Sequence, residues 1–238
     1  MFQGDFMRRV LRIGHRGAAG HAHENTLAAI QKGIALGVDF VEIDVRCTAD
    51  GVLVVLHDET VNRTTNGKGR VDRLSLQEVK KLNTANGEHI PTLEEVLKVV
   101  EGKAGLMLEL KIKGVAQQTV DTVREAGFRD PVIYASFLHD ELKHVRTAHP
   151  AASLMVLFRG LSRASVARAV KYGPSYVGLR HDKATRPLVD AFHRADLLVF
   201  VYTADAPSDI QHAFSLDVDG VISNFPERIA SQQFLDSR

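Results

Sequence analysis

A single cysteine, Cys47, occurs in the chain of 238 residues, so no disulfide can close within it. Nothing beside Cys47 marks a reactive thiol, and a small, buried or half-buried role is expected. No apolar run approaches the length of a membrane-spanning helix. Residues 1–9 lack the apolar stretch of a secretory signal, and Met7 is an alternative start that would leave the first six residues poorly ordered. A cytoplasmic protein is expected. Lysine plus arginine (30) and aspartate plus glutamate (29) nearly cancel, leaving a net charge of +1. Bulk charge therefore gives no reason to expect nucleic acid or stable association with an anionic membrane. No Gly-x-Gly-x-x-Gly turn follows any strand-like run, which removes the main sign of a dinucleotide-binding sheet.

What is present is ordinary in amount and ordered in arrangement. Hydrophobic content of 45% and charged content of 25% suit a soluble globular chain, and the length suits one domain over residues 1–238. Short aliphatic runs at 10–14, 40–45, 52–56, 105–110, 132–136, 153–158, 176–179, 198–202 and 220–223 read as strands. Amphipathic stretches at 24–36, 93–100, 115–126, 139–147, 163–171, 186–194 and 208–214 read as helices. Strand followed by helix, repeated end to end, predicts a parallel sheet covered by helices, here an α/β TIM-type (β/α)8 barrel. Nine strand candidates compete for eight places, and the connection from Asp44 to Val52 is too short for a helix. Either one strand lies outside the barrel or one of the nine runs is not a strand. The alternation breaks after His57 with a small insertion at about residues 59–91, and the stretch from Asp58 to the strand at Gly105 holds two capping boxes, Ser75 with Glu78 and Thr92 with Glu95. The Ser75 helix is expected above the barrel mouth, with the Thr92 helix as the return leg.

Polar residues at the ends of apolar strands are costly to place unless they face a cleft. Glu42 and Asp44, two apart on one strand, point the same way, and two carboxylates so close require a cation or a shared proton. Glu109, on another strand end, offers a third oxygen donor. An all-carboxylate set favours one hard divalent cation, Mg²⁺ or Ca²⁺, over zinc. The alternative is carboxylates merely paired with Arg46 and Lys111. His15 and His57 each end an apolar run and flank the carboxylate pair, as a general acid and base for phosphodiester cleavage would. Which is acid and which is base stays open. Arg16 and Lys111 are placed to grip phosphate oxygens. His21 and His23 fall in a loop near His15 and are expected solvated, as are His139, His144 and His149 on or past a polar helix.

These residues resemble the glycerophosphodiester phosphodiesterase family, related in architecture to the phosphatidylinositol-specific phospholipases C. The resemblance rests on an ordered set: His15-Arg16-Gly17, Glu24-Asn25-Thr26, Glu42-x-Asp44, Asp50-Gly51, His57-Asp58 and Arg63-x-Thr65-x-Gly67. It continues through Ile90-Pro91-Thr92-Leu93, Glu109-x-Lys111, Ser136-Phe137 and residues 219–224. It implies a barrel with a metal on Glu42, Asp44 and Glu109, an acid–base pair in His15 and His57, and phosphate contacts from Arg16 and Lys111. The implied reaction is hydrolysis of a small-molecule glycerophosphodiester to glycerol 3-phosphate and an alcohol, through a cyclic phosphate. The chain departs from the family's pattern at His23, where proline is frequent, and at Tyr202-Thr203-Ala204-Asp205, where Trp-Thr-Val-Asn is frequent. No tryptophan occurs anywhere. These positions border the alcohol side of the pocket, and Tyr202 is a candidate substrate contact there. Two alternatives are a phospholipase of the D or C kind acting on lysolipids or sphingolipids, and a catalytically silent barrel binding a phosphometabolite. The loops at 17–23 and 59–69 hold charge and glycine but no aromatic cluster, and every acid–base and metal candidate is present.

Overall fold

In the computed structural model, residues 9–160 and 164–230 are described. The alternative start at Met7 and the expected helix end at Arg163 lie outside them. Strands form at β1 (Leu11–Gly14), β2 (Phe40–Cys47), β3 (Leu53–Val55), β4 (Gly105–Leu110) and β5 (Val132–Ser136). They continue at β6 (Ser153–Phe158), β7 (Tyr176–Arg180), β8 (Leu198–Tyr202) and β9 (Gly220–Ser223). The helices are α1 (Leu27–Ala35), α2 (Leu76–Val79), α3 (Leu93–Val100), α4 (Ala116–Glu125), α5 (His139–Ala148), α6 (Ser165–Val170), α7 (Arg186–His193) and α8 (Pro207–Ser215).

Eight strands pair in parallel in the order β1-β9-β8-β7-β6-β5-β4-β2, and β1 pairs with β2 to close the barrel. This is the TIM-type (β/α)8 fold. The surplus strand is β3, which turns back antiparallel on the end of β2, with Val45 opposite Val55 and Cys47 opposite Leu53. The short Asp44–Val52 connection is that hairpin.

Ile13, Met107, Ile133, Ala135, Met155, Leu157, Phe200 and Ile222 fill the barrel interior. A second core, including Val41, Ile43, Leu106, Leu108 and Val177, lies between the strands and the helices. Inward positions recur every second residue along a strand, and the series runs on past the last apolar layer. Two residues beyond Ile13 stands His15. Beyond Met107 stand Glu109 and Lys111, beyond Ala135 stands Phe137, and beyond Leu157 stands Arg159. Arg180 follows Gly178 and Tyr202 follows Phe200 in the same way. The polar ring at the C-terminal mouth is thus a direct extension of the apolar core.

Helix α1 starts at Leu27, three residues later than the hydrophobic period predicts. Thr26 caps it, its hydroxyl accepting from Ala29 N at 3.2 Å. Asn25 has φ of 58°, a left-handed conformation outside the helix, and its side chain turns to Asp44. Both expected capping boxes form, at Ser75–Glu78 on α2 and Thr92–Glu95 on α3. Between β3 and α3 the chain builds a small core of its own from Val54, Leu56, Val61, Val71, Val79 and Ile90. Among the described residues no helix is long and apolar enough to cross a membrane. Cys47 is half-buried, and burial followed by the charge of Asp50 pushes its thiol up, away from reactivity.

Candidate active site

The loop after β1 is pressed tightly against α1. Gly17 has φ of 89°, and a methyl group there would lie 2.4 Å from the carbonyl carbon of Ala29. Only glycine permits this approach. The turn swings the Arg16 backbone amide onto Glu42, donating to Oε2 at 2.9 Å, while Arg16 itself takes a left-handed φ of 49°. His15 is anchored from across the barrel closure. Its Nδ1 meets Asn224 Oδ1 at 2.7 Å, and Asn224 is held in turn by Asp205, donating from Nδ2 at 2.6 Å and from its backbone N at 2.8 Å. Because the Asn224 amide nitrogen is committed to Asp205, its oxygen faces the ring, and Nδ1 must donate. The lone pair of neutral His15 therefore sits on Nε2, 3.9 Å from Glu42 Oε2. Burial, then the charge of Arg16, lowers the His15 pKa to about 4.

Glu42 and Asp44 project from β2 to the same side, and the register places Asp44 beside Glu109 of β4. One carboxylate oxygen from each of the three lies within 4.8 Å of the others. Lys111 Nζ bridges Asp44 Oδ1 at 3.2 Å and Glu109 Oε1 at 2.7 Å. Arg16 Nε lies 3.3 Å from Asp44 Oδ2, which also accepts from Asn25 Nδ2 at 2.8 Å. Burial, with Asp44 and Glu109 adding repulsion, pushes Glu42 well above the usual carboxylate range. Burial and Asp44 likewise raise Glu109. Asp44 stays below its ordinary value although burial opposes it, because Lys111 and Arg16 favour its charge. Three carboxylates outnumber Arg16 and Lys111 by one charge, so mutual repulsion adds to burial in raising Glu42 and Glu109. Buried oxygens without nitrogen or sulfur suit a hard divalent ion, so the donor set fits one.

Arg46 does not pair with these carboxylates; its Nε donates to the His57 carbonyl at 2.9 Å. That contact helps fix His57, which follows β3 and directs Nδ1 at Asp58 Oδ1, 2.7 Å away. Burial lowers the His57 pKa despite the favourable charge of Asp44 and the bond to Asp58. Asp58 is gripped by Arg63, whose guanidinium also holds both oxygens of Glu24 at 2.7 Å. Glu24 Oε1 accepts from Arg16 at 2.7 Å. A continuous chain, His57–Asp58–Arg63–Glu24–Arg16, thus joins the residue after β3 to the loop after β1. Burial opposes the charge of Glu24, yet Arg63 and Arg16 outweigh it and bring the pKa down to about 2.

His15, Arg16, Glu42, His57, Glu109 and Lys111 line one cavity of about 320 Å³ at the barrel mouth. Tyr202 lines it too, with its hydroxyl turned away to the Phe158 carbonyl at 2.6 Å, so it presents its ring. Asp44, at 1% exposure the most deeply buried member of the carboxylate cluster, is not among the residues lining the cavity. Period-two extension of the strands would have revealed Phe137, Arg159 and Arg180, which share the cavity wall. Arg63 lies in a loop, and Asn224 in a segment, that the family resemblance includes, and Asp205 in one where the chain departs from it, but nothing local connects Asn224 to His15, Asp205 to Asn224 or Arg63 to Glu24. His21 pairs with Glu227 at 3.0 Å, and neither it nor His23 lines the cavity. His139 is not solvated as its polar helix suggests. Its ring is half-buried against Phe158 and Tyr172, and Nε2 meets the Leu157 carbonyl at 2.9 Å. His144 and His149 are exposed as expected.

A closed barrel with paired histidines over a carboxylate cluster and two phosphate-competent cations defines the class of barrel phosphodiesterases. The sequence matches the glycerophosphoryl diester phosphodiesterase family over residues 15–228, and the chain belongs to that family. A glycerophosphodiester phosphodiesterase of Caldanaerobacter subterraneus subsp. tengcongensis is 33% identical over 240 residues, covering 93% of this chain and 96% of the relative. Another, from Bacillus altitudinis, is 30% identical over 235 residues, covering 91% and 95%. Among solved structures, an Oleispira antarctica phosphodiesterase in complex with the product sn-glycerol-3-phosphate superposes with a TM-score of 0.87. It is 28% identical, with 93% of this chain and 95% of that one covered.

Proposed function

We propose that this enzyme hydrolyses glycerophosphodiesters to glycerol 3-phosphate and an alcohol, with His15 as general base, His57 as general acid and a divalent cation on Glu42, Asp44 and Glu109. The observation that carries the assignment is the pair of anchors on the two rings. His15 is tied to a neutral amide, which leaves an uncharged ring with a free lone pair on Nε2. His57 is tied to a carboxylate, which opposes the lowering of its pKa by burial and orients the ring to hold and deliver a proton. The product carried by the Oleispira antarctica structure supports the same substrate class.

When bound, Mg²⁺ or Ca²⁺ would supply electrophilic charge at the phosphate oxygens. Arg16 and Lys111 hold the phosphate against the cluster. His15 Nε2 takes the proton of the glycerol hydroxyl adjacent to the phosphoester. That oxygen attacks phosphorus, the bond from phosphorus to the alcohol oxygen breaks, and His57 protonates the departing alkoxide. In the second half His57 takes a proton from water, the hydroxide opens the cyclic phosphate, and His15 returns its proton to the glycerol oxygen. One water is consumed, and both histidines end in their starting states.

Release of glycerol 3-phosphate from glycerophosphoglycerol, with and without chelator, tests the proposal. His15→Asn and His57→Asn should each lose about 10²–10⁴ in kcat. Full activity in either variant, or in excess chelator, would overturn the corresponding role.

A further inference from the structure

The cavity has two walls of different character. Strands β1, β2 and β4 carry His15, Arg16, Glu42, Asp44, Glu109 and Lys111, and β3 delivers His57 beside them. Strands β5 to β8, across the mouth, carry Phe137, Arg159, Arg180 and Tyr202, none of which the reaction uses. We propose that Arg159, with Arg180 beside it, forms an anion-binding subsite for the alcohol arm, so that the preferred diesters carry a carboxylate or second phosphate on that alcohol. This rests on the glycerophosphodiester reading of the same site.

Leu157 pairs with Gly178 and Phe158 with Leu179, so Arg159 and Arg180 rise at the same level from neighbouring strands. Arg180 is half-exposed and shares its charge with Asp182, to which NH2 donates at 2.6 Å. Among the described residues no acid pairs with Arg159. Its guanidinium lies over the Phe137 ring, 4.8 Å from the centroid, which leaves its edge nitrogens free to donate. Phe137 in turn meets Tyr202 edge-on, with centroids 5.9 Å apart. A quaternary ammonium alcohol would want an open aromatic face or a carboxylate on this wall. The face of Phe137 is covered by a cation, the ring of Tyr202 is flanked by Arg180 on the paired strand and by the charge of Arg159, and the acids lining the cavity, Glu42 and Glu109, belong to the opposite wall. Glycerol itself is uncharged and must stay close to phosphorus to close a cyclic phosphate. A charged group reaching β6 and β7 therefore belongs to the departing alcohol.

Three diesters of glycerol phosphate, with choline, glycerol and β-hydroxypropionate as alcohols, give cationic, neutral and anionic arms. Their kcat/KM values are compared in the native enzyme, Arg159→Gln and Arg180→Gln. Their affinities are measured by calorimetry on His57→Asn, so the order of binding is read even where turnover is absent. The anionic diester should lead the neutral one by about tenfold, a figure reduced from a buried charge-assisted bond because the guanidinium is exposed. The choline diester should come last. Arg159→Gln should erase the anionic lead and relieve the choline deficit, with a smaller change in Arg180→Gln. Equal affinities for the three diesters, or an equal loss for all of them in Arg159→Gln, would overturn the subsite. Ordered binding with no turnover of any diester would instead strike the proposed reaction.

Discussion

Replacing Arg63 by methionine keeps the length of the side chain and removes the link between the two halves of the site. The guanidinium makes its 2.7 Å contacts to Asp58 and to both oxygens of Glu24, so one substitution strands two carboxylates. Glu24 is held near 2 against a usual value of 4.5. Undamped, such a depression corresponds to about 3 kcal/mol. Arg16 shares in that stabilisation, and Arg63 is 49% exposed, so screening reduces the part due to Arg63 to about 1 kcal/mol. With Asp58, the variant should lose about 1–2 kcal/mol near neutral pH, or about 3–6 °C in Tm. The sign of the pH dependence follows from the direction of the shift. A carboxyl depressed in the folded state contributes fully above its unfolded value and stops contributing as pH falls through the folded one. The gap between native protein and Arg63→Met should therefore be constant from neutrality to the usual carboxylate range and close below it. Urea unfolding across that range measures it. A gap that persists undiminished in acid, or no gap at neutrality, would show that Arg63 does not stabilise Glu24 and Asp58 by charge.

Gly17→Ala should lose about 3 kcal/mol or more and lower Tm by at least about 6 °C, because φ is positive and the methyl group meets backbone at 2.4 Å; a near-native melting curve would contradict the close approach of β1 loop and α1. Asn224→Leu should leave KM little changed and cut kcat about tenfold or more, since His15 loses the acceptor that fixes its tautomer; an unaltered kcat would remove Asn224 from a positioning role. Because Glu42 is pushed well above its usual value, it must shed a proton to ligate a cation, so divalent affinity should rise with pH and binding should release protons. Calorimetry in buffers of different ionisation heat reads that release, and identical heats in all of them would count against it.

The grouping of the candidate site residues on β1, β2 and β4 was legible because they fall in short local patterns. Glu42 and Asp44 share a face by period two, and the register then brings Asp44 beside Glu109, as strands running in parallel allow. The nine-for-eight strand problem also had its answer in the short Asp44–Val52 connection, which the hairpin of β2 and β3 explains. The start of α1 was misread because hydrophobic period extends over Glu24 and Asn25, whereas those side chains are recruited by Arg63 and Asp44. His139 was misread because its helix is polar outward, while its own ring turns to Phe158 and Tyr172 on neighbouring elements. Asn224 and Asp205 could not be connected to His15 from spacing, since the contact crosses the barrel closure between β1 and β9.

The charges of the two walls are linked through the substrate. The carboxylate cluster exceeds Arg16 and Lys111 by one negative charge, and repulsion within it adds to burial in raising Glu42 and Glu109. A divalent ion reverses the balance to one positive charge, which a phosphodiester anion neutralises. Arg180 is largely balanced by Asp182, but Arg159 adds a positive charge on the far wall that the diester phosphate is not placed to meet. A second negative charge on the alcohol would meet it there. A choline alcohol would bring a cation towards Arg159 instead, with the face of Phe137 already occupied and the ring of Tyr202 flanked by Arg180. The same period-two ladder that carries the reactive residues past the core thus also carries the residues that read the leaving group. In the proposed reading chemistry and selectivity separate by strand, with residues of β1, β2 and β4 and His57 after β3 acting on phosphorus and those of β6 and β7 sorting alcohols by charge.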